Sequence, residues 1–321
     1  MKHCFILCSL LFCLNVQAQN ESAFQFLQLP YSAHAAALGG DVITVTDDDP
    51  TLAFHNPALL TCSSANILHF GYMSYLEVTN RGTASYTLDT GARSAAEFGV
   101  EYLGFGNMRR TDAEGINLGT LSAKDMALTG IYCYDLSEYW TGGVAGKFIY
   151  SNYDVVYSLA LGIDLGLNYY NPDNAFSFSI LARQLGGQIK TYDGINERLP
   201  FNLVAGFSKE LTHAPIRLSL TISQLNHWKS SDFYSYSDIS LKDIFFRHFI
   251  IGADFFPTNN TFIAIGYNHL LHCDLSAMNS RSLAGFSIGG GLSVNRIRIS
   301  ASYGRYHIAA NSLFMNIAYG L

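Results

Sequence analysis

A few stretches of this 321-residue chain place residues in patterns that could do chemistry, and each has a structural alternative. Asp47-Asp48-Asp49 is the acidic run. Its carboxylates suit a hard cation such as calcium. The same residues can open a helix: Asp49 as the cap, Pro50 at the first helical position and Thr51 onward helical. The capping grammar is complete, so the spacing favours the structural role. It repeats at Asn56-Pro57, which can cap the short piece Ala58-Leu59-Leu60 and predicts a kink at Asn56.

Gly285-Phe286-Ser287-Ile288-Gly289 fits the G-x-S-x-G pattern of a hydrolase nucleophile elbow. That elbow needs a strand, a sharp turn and a helix. Here Phe286, Ile288, Gly290, Leu292 and Val294 continue an alternating strand through the motif, and the glycines that follow are poor helix formers. Gly104-Phe105-Gly106 does not sit at a strand-to-helix phosphate turn. His269 and His272 are three apart, which on a strand sends them to opposite faces. No H-E-x-x-H or paired-cysteine motif occurs. The chain therefore predicts no enzyme, no cofactor and no metal centre, and its charge of −6 without a basic stripe predicts no nucleic-acid partner.

What these residues must be set on follows from composition. Charged residues are 14% and hydrophobic residues 49%, with 22 Phe and 20 Tyr. Soluble domains carry roughly 25% charge. A chain this apolar meets lipid, yet beyond the N-terminus it has no uninterrupted apolar run of about 18 residues for a helical span. A closed barrel is the other structure that satisfies its backbone groups within lipid.

Period-two alternation supports the barrel. Leu159, Leu161, Ile163, Leu165, Leu167 and Tyr169 share one face, and Ala160, Gly162, Asp164, Gly166 and Asn168 the other. The pattern recurs in 68–72, 97–102, 216–223, 297–303 and 313–321. About fourteen such segments are predicted, each near the ~9–11 residues that cross a bilayer obliquely. The even-numbered connections are short, such as Asn171-Pro172-Asp173-Asn174 and Pro257-Thr258-Asn259-Asn260. Most odd-numbered ones are long: 104–124, 184–199, 226–243 and 270–283. That parity fits an outer-membrane barrel with both termini periplasmic and the long loops extracellular.

The N-terminus reads as an export signal over 1–18. Lys2 and His3 precede the apolar run Cys4–Leu14, and Val16-Gln17-Ala18 resembles a cleavage site. Cys13 follows Phe12, which disfavours a lipoprotein anchor. Of the cysteines, Cys62, Cys133 and Cys273 remain after cleavage, with neither metal-site nor disulfide spacing. Residues 19–64 are irregular and 65–321 alternate, so the expected organisation is signal, inward plug or hatch, and barrel.

The N-terminal region resembles the PorQ family. The residues that carry this are Phe24-x-Phe26-Leu27-x-Leu29-Pro30-Tyr31-Ser32-Ala33, Ala35 to Gly39-Gly40, Asp47-Asp48-Asp49, and Leu52-Ala53-Phe54-His55-Asn56-Pro57-Ala58-Leu59-Leu60. A second patch runs through Arg110-Thr111-Asp112, Gly115, Gly119 and Ser122-Ala123-x-Asp125-x-Ala127-Leu128. The glycine pair, acidic turn and Asn-Pro-Ala motif are shared more loosely with FadL-like barrels, including PorV. The resemblance implies an all-β, fourteen-strand antiparallel FadL-like barrel with an N-terminal plug. It implies a non-enzymatic component of the type IX secretion system of Bacteroidetes, in an attachment complex with PorU, PorV and a PorZ-like surface protein that it anchors. The specific patches cover about a fifth of the chain. The terminal Leu321, where many such barrels end in an aromatic, departs from the pattern, with Tyr319 two residues back on the same face.

For partner contact the sequence offers the loop 226–243. His227, Trp228, Phe233, Tyr234 and Tyr236 resemble interface anchors. They equally suit an aromatic belt at the membrane surface. The competing function is a FadL-type channel for hydrophobic small molecules, which requires an apolar pocket beside the plug and an opening in the wall.

Overall fold

The computed structural model describes residues 22–60, 66–76, 78–111, 116–233, 240–276, 283–308 and 310–321. The export signal, Cys62, Asp112, Gly115, Tyr234 and Tyr236 lie outside the described residues.

Fourteen antiparallel strands close into one barrel. They are β1 (Ile67–Ser74), β2 (Asn80–Gly91), β3 (Ser94–Thr111), β4 (Asn117–Asp135) and β5 (Trp140–Tyr153). Then follow β6 (Val156–Asn171), β7 (Phe176–Lys190), β8 (Asn202–Glu210), β9 (Ile216–Ile222) and β10 (Phe249–Thr258). The last are β11 (Thr261–Asn268), β12 (Phe286–Val294), β13 (Ile297–His307) and β14 (Ala310–Gly320). Each strand pairs with its sequence neighbours, and β1 closes on β14 from Ile67 opposite Gly320 to Ser74 opposite Leu313.

The apolar face of the alternation points outward. Phe98, Leu161 and Leu218 are 60%, 49% and 49% exposed, while Glu97, Asp164 and Arg217 between and beside them are buried. A soluble sandwich would invert this. An apolar exterior around a polar interior is the arrangement of a membrane barrel. Tyr139, Trp140 and Tyr169 cluster at the tight-turn end, with Trp140 and Tyr169 ring centroids 5.1 Å apart, as interfacial aromatics do.

Three connections differ from the sequence reading, the first of them 184–199, which opens as strand because β7 runs to Lys190. The expected loop 104–124 is mostly strand: β3 and β4 run 18 and 19 residues, past the last β2 partner at Gly104 and the last β5 partner at Ala123. A bulge between Gly104 and Asn107, with Gly106 at φ 68°, lets the ladder continue in a new register. The segment around His269 leaves the sheet as a helix. Of the three α-helices among the described residues, α1 (Ala33–Ala37), α2 (Leu241–Arg247) and α3 (His269–Ser276), the last brings His269 and His272 onto one face, rings 6.0 Å apart. Helical spacing of three replaces the strand spacing that would have separated them.

Residues 22–60 fill the lumen. Their first described residues lie at the long-loop end, where the Ala23 amide donates to the Arg198 carbonyl (3.0 Å) in the β7–β8 connection. They end toward the tight-turn end, where the Cys133 thiol donates to the Leu60 carbonyl (2.9 Å). The two ends of the barrel itself, Ile67 and Gly320, share the tight-turn end. The start of the plug does not, because it is tied to the opposite rim.

Candidate functional site

The plug is built from short pieces with strong local signals. Ser32 caps α1 by accepting from the His34 and Ala35 amides. Asp49 accepts from the Thr51 amide (3.0 Å) and hydroxyl (2.6 Å), and Pro50–Phe54 follows as one tight 3₁₀ turn. Asn56 accepts from the Ala58 amide (3.1 Å) ahead of the 3₁₀ turn Pro57–Leu59. Asn56 is extended, at φ −148° and ψ 113°, so the kink expected before Pro57 is present. Gly39 and Gly40 both have positive φ, 101° and 97°. A Cβ on Gly39 would lie 2.5 Å from Ile250 Cγ2, so the pair turns the chain where the wall leaves no room.

Charged groups on the inward faces of the strands hold this plug. Arg217 lies between two carboxylates: Nη1 and Nη2 reach Asp47 at 2.6 and 2.9 Å, and Nε reaches Asp254 at 2.8 Å. The other Asp254 oxygen is 2.8 Å from His34 Nε2. A second set joins Arg183 to Asp41 through two bonds of 3.0 and 3.1 Å, and Arg183 also donates to the His55 carbonyl at 2.7 Å. His55 Nδ1 lies 3.1 Å from Asp41. A third contact runs from Arg81 to the Pro30 carbonyl, with Arg81 Nε held by Glu101 at 2.9 Å. Two forked arginine–carboxylate pairs, each linking plug to wall, give orientation as well as energy.

The acidic run is thus divided. Asp47 pairs with Arg217 and Asp49 caps a turn. Ser287 of the G-x-S-x-G match lies on β12, where its hydroxyl donates to the Ala37 carbonyl (2.8 Å) and accepts from the Gly39 amide (3.0 Å). It clasps the plug. Sequence reasoning missed the wall partners, although Arg183, Arg217 and Asp254 stand out as charges on the small, polar face of apolar strands.

Burial by itself would raise the Asp41 and Asp47 carboxyls, but Arg183 and Arg217 outweigh it and hold both below the ordinary carboxylate range. A depressed folded-state value means the docking energy is fully present above the free carboxylate pKa and lost only as pH falls through the lower bound value. The plug should therefore stay seated at about pH 4, where free carboxylates are half protonated. Conductance of reconstituted barrels across an acid series measures this; opening above that pH would contradict it.

Two cavities flank the plug at the loop end. One, about 520 Å³, is lined by Phe24, Phe26, Leu103, Phe105, Tyr153 and Tyr192, with Asp125 and Glu197 also in its lining. Phe24 adopts the left-handed region (φ 60°), uncommon for a bulky side chain, and lies 6.4 Å from Tyr192. Phe105 follows Gly104, where the β3 bulge begins, and lies 6.0 Å from Tyr153. The other cavity, about 370 Å³, is lined by Asp41, Arg183, Gln184, Gln224 and neighbours, including His227.

The other described aromatics of the loop 226–243, Trp228 and Phe233, pack against the C-terminal end of α2. Trp228 stays exposed, packs edge-on against His248 at 4.2 Å and donates to the Leu225 carbonyl. Phe233 is buried, with the Arg247 guanidinium 5.4 Å above its ring.

No known family model matches the sequence, and no curated protein matches it. Solved structures do match in fold. The toluene transporter TbuX of Ralstonia pickettii aligns at a TM-score of 0.59 with 13% identity, over 92% of this chain and 98% of that one. The toluene transporter TodX of Pseudomonas putida aligns at 0.57 with 11% identity, over 92% and 99%. A Pseudomonas aeruginosa FadL homologue aligns at 0.50 with 10% identity, over 90% and 98%. The fold is that of the FadL-like barrels, fourteen strands around a plug.

Proposed function

We propose that the chain lies in an outer membrane, plug start and long loops outward, and takes up a hydrophobic small molecule at its loop end. The observation that carries this is the 520 Å³ cavity of aromatic side chains pressed against the plug. Its size falls within the roughly 300–1,000 Å³ of small-molecule sites, and a mainly apolar lining with a few polar groups is their usual chemistry. The fold it shares with two toluene transporters supports the same reading. Every neighbouring strand pair is hydrogen-bonded, so of the two features expected of a channel the described residues show the apolar pocket and not the wall opening, and passage through the lumen requires the plug to yield. No catalytic step is assigned to the chain. Uptake of a long-chain lipid into liposomes carrying the protein tests the proposal. Uptake above empty liposomes is expected; equality with them would end it.

A second reading is favoured by the N-terminal motif. Under it the barrel is a PorQ-like anchor of the type IX secretion system, holding a PorZ-like surface protein in a complex with PorU and PorV. Of the motif residues, Pro30, Gly39-Gly40, Asp47 and Asn56-Pro57 seat the plug against the wall, while Asp49 caps a turn within it. A shut barrel with an unbroken wall suits an anchor. Pull-down from detergent-solubilised membranes with the full chain as bait separates the two: recovery of a PorZ-like protein with no lipid uptake would favour the anchor.

A further inference from the structure

The 370 Å³ cavity differs in chemistry from its aromatic neighbour. Carboxamides crowd its lining: Gln25, Gln28, Gln184, Asn202, Gln224 and Asn268. A carboxamide offers a donor and an acceptor on one flat group, which matches a hydroxyl that is itself both. Tyr75 and Phe201 add aromatic surface, on which the C–H face of a sugar ring can lie.

The floor is built with a polar atom left over. Arg183 and Gln184 together oppose the single residue Asp164, because the β6–β7 register shifts between Ile163 and Leu165. Such a bulge re-aims side chains, and here both consecutive residues line the lumen. Gln184 is 2% exposed and sits at φ 61°, a left-handed conformation fixed by its amide donating to Asp164 (2.7 Å). Its Nε2 donates to the Leu27 carbonyl (3.1 Å), while its Oε1 has no hydrogen-bond partner. Arg183 Nε is also buried without one. Leaving a buried polar atom unpaired costs about 1–3 kcal/mol. Gln224, Gly39 and Gly40, also in the lining, have positive φ as well. Non-glycine residues held in sparsely populated conformations cluster at ligand sites.

Charge selects the ligand class further. The central charges, Asp41 and Arg183, neutralise each other through two bonds. Asp232 adds a second carboxylate to the lining, so an anion would meet no surplus cation there.

We propose that this cavity binds a neutral, hydroxyl-rich ligand, a small saccharide, with the Gln224 carboxamide pairing with one hydroxyl and the buried Gln184 carboxamide turning to the ligand so that its Oε1 accepts from another. The proposal does not depend on the uptake reading, which concerns the adjoining aromatic cavity.

The test is calorimetric titration of the full-length protein in lauryldimethylamine oxide, a detergent without a sugar head group, with maltose, cellobiose and trehalose. Gln184→Asn keeps a residue tolerant of positive φ and withdraws the carboxamide by one methylene. Gln224→Asn does the same at the second position. A heat-dependent gel shift shows that each variant is a folded barrel. Saturable binding of at least one sugar is expected, weakened about tenfold in each variant, the scale of one lost hydrogen bond. Failure of all three sugars to bind the folded wild-type protein would overturn the proposal. So would binding that both variants leave unchanged, since the sugar would then sit elsewhere.

Discussion

Replacing Arg217 by methionine should turn a blocked lumen into a conducting one. Arg217 is 4% exposed and is the cation between Asp47 on the plug and Asp254 on β10. Its removal leaves two carboxylates facing each other in a poorly hydrated space. Breaking a buried pair by deleting one partner typically costs about 3–5 kcal/mol, because the remaining charge is uncompensated. That equals more than a hundredfold change in the docking equilibrium. His34 can neutralise part of the excess at Asp254, 2.8 Å away, but it reaches Asp47 only at 3.7 Å. The barrel should survive, since Arg217 lies on a wall whose ladder is made by backbone groups. The expected result in a planar bilayer is a low, rare conductance for the native protein and a large, frequent one for the variant. Arg217→Lys should fall between them, because it keeps the charge and loses the fork. A methionine variant as silent as the native barrel, with its heat-dependent gel shift intact, would show that Arg217 does not hold the plug.

The parts that sequence made legible and those it did not divide by range. Period two is local, so the lipid-facing rows, such as Leu159 to Leu167, and the fourteen strands are readable from the chain. Capping is local too, and Asp49-Pro50 and Asn56-Pro57 sit where their grammar places them. The ion pairs are not local. Asp47 and Arg217 are 170 residues apart, and nothing in either neighbourhood names the other. The sequence does show the need: a charge on the inner row of a strand must find an opposite charge, and the plug is the segment that enters the lumen. The β3–β4 ladder beyond Gly104 was hidden because a bulge breaks the alternation on which strand reading depends. α3 was hidden because His269-Leu270-Leu271-His272 is too short to separate period two from period 3.6.

The wall is as closely fitted to the plug by shape as by charge, and a single methyl group should expose this. Gly143 on β5 and Gly166 on β6 are register partners, forming a flat spot on the inner face. The Asn56-Pro57 turn lies on it. A Cβ at Gly143 would stand 2.2 Å from the Pro57 carbonyl carbon and 2.3 Å from the Ala58 nitrogen. A Cβ at Gly166 would stand 2.0 Å from Asn56 Oδ1. At Gly143 the obstructing atoms are backbone, so no rotamer change relieves the clash, and the turn must lift. Overpacking of this kind costs about 1–3 kcal/mol. Cys133 reports it, because its buried thiol lies under this turn and donates to the Leu60 carbonyl. In Gly143→Ala, maleimide labelling of Cys133, followed by peptide mass spectrometry, should speed up about tenfold, the kinetic equivalent of roughly 1.4 kcal/mol of easier local opening. Gly146→Ala, three residues along β5, meets no atom within 4 Å and should label at the native rate. Equal rates in both variants would mean that the turn does not rest on the wall at Gly143. A rise confined to Gly143→Ala would separate the fit of the turn from any general loosening of the barrel. It would also make the tight-turn end of the plug a contact held by shape, distinct from the arginine pairs that hold Asp41 and Asp47.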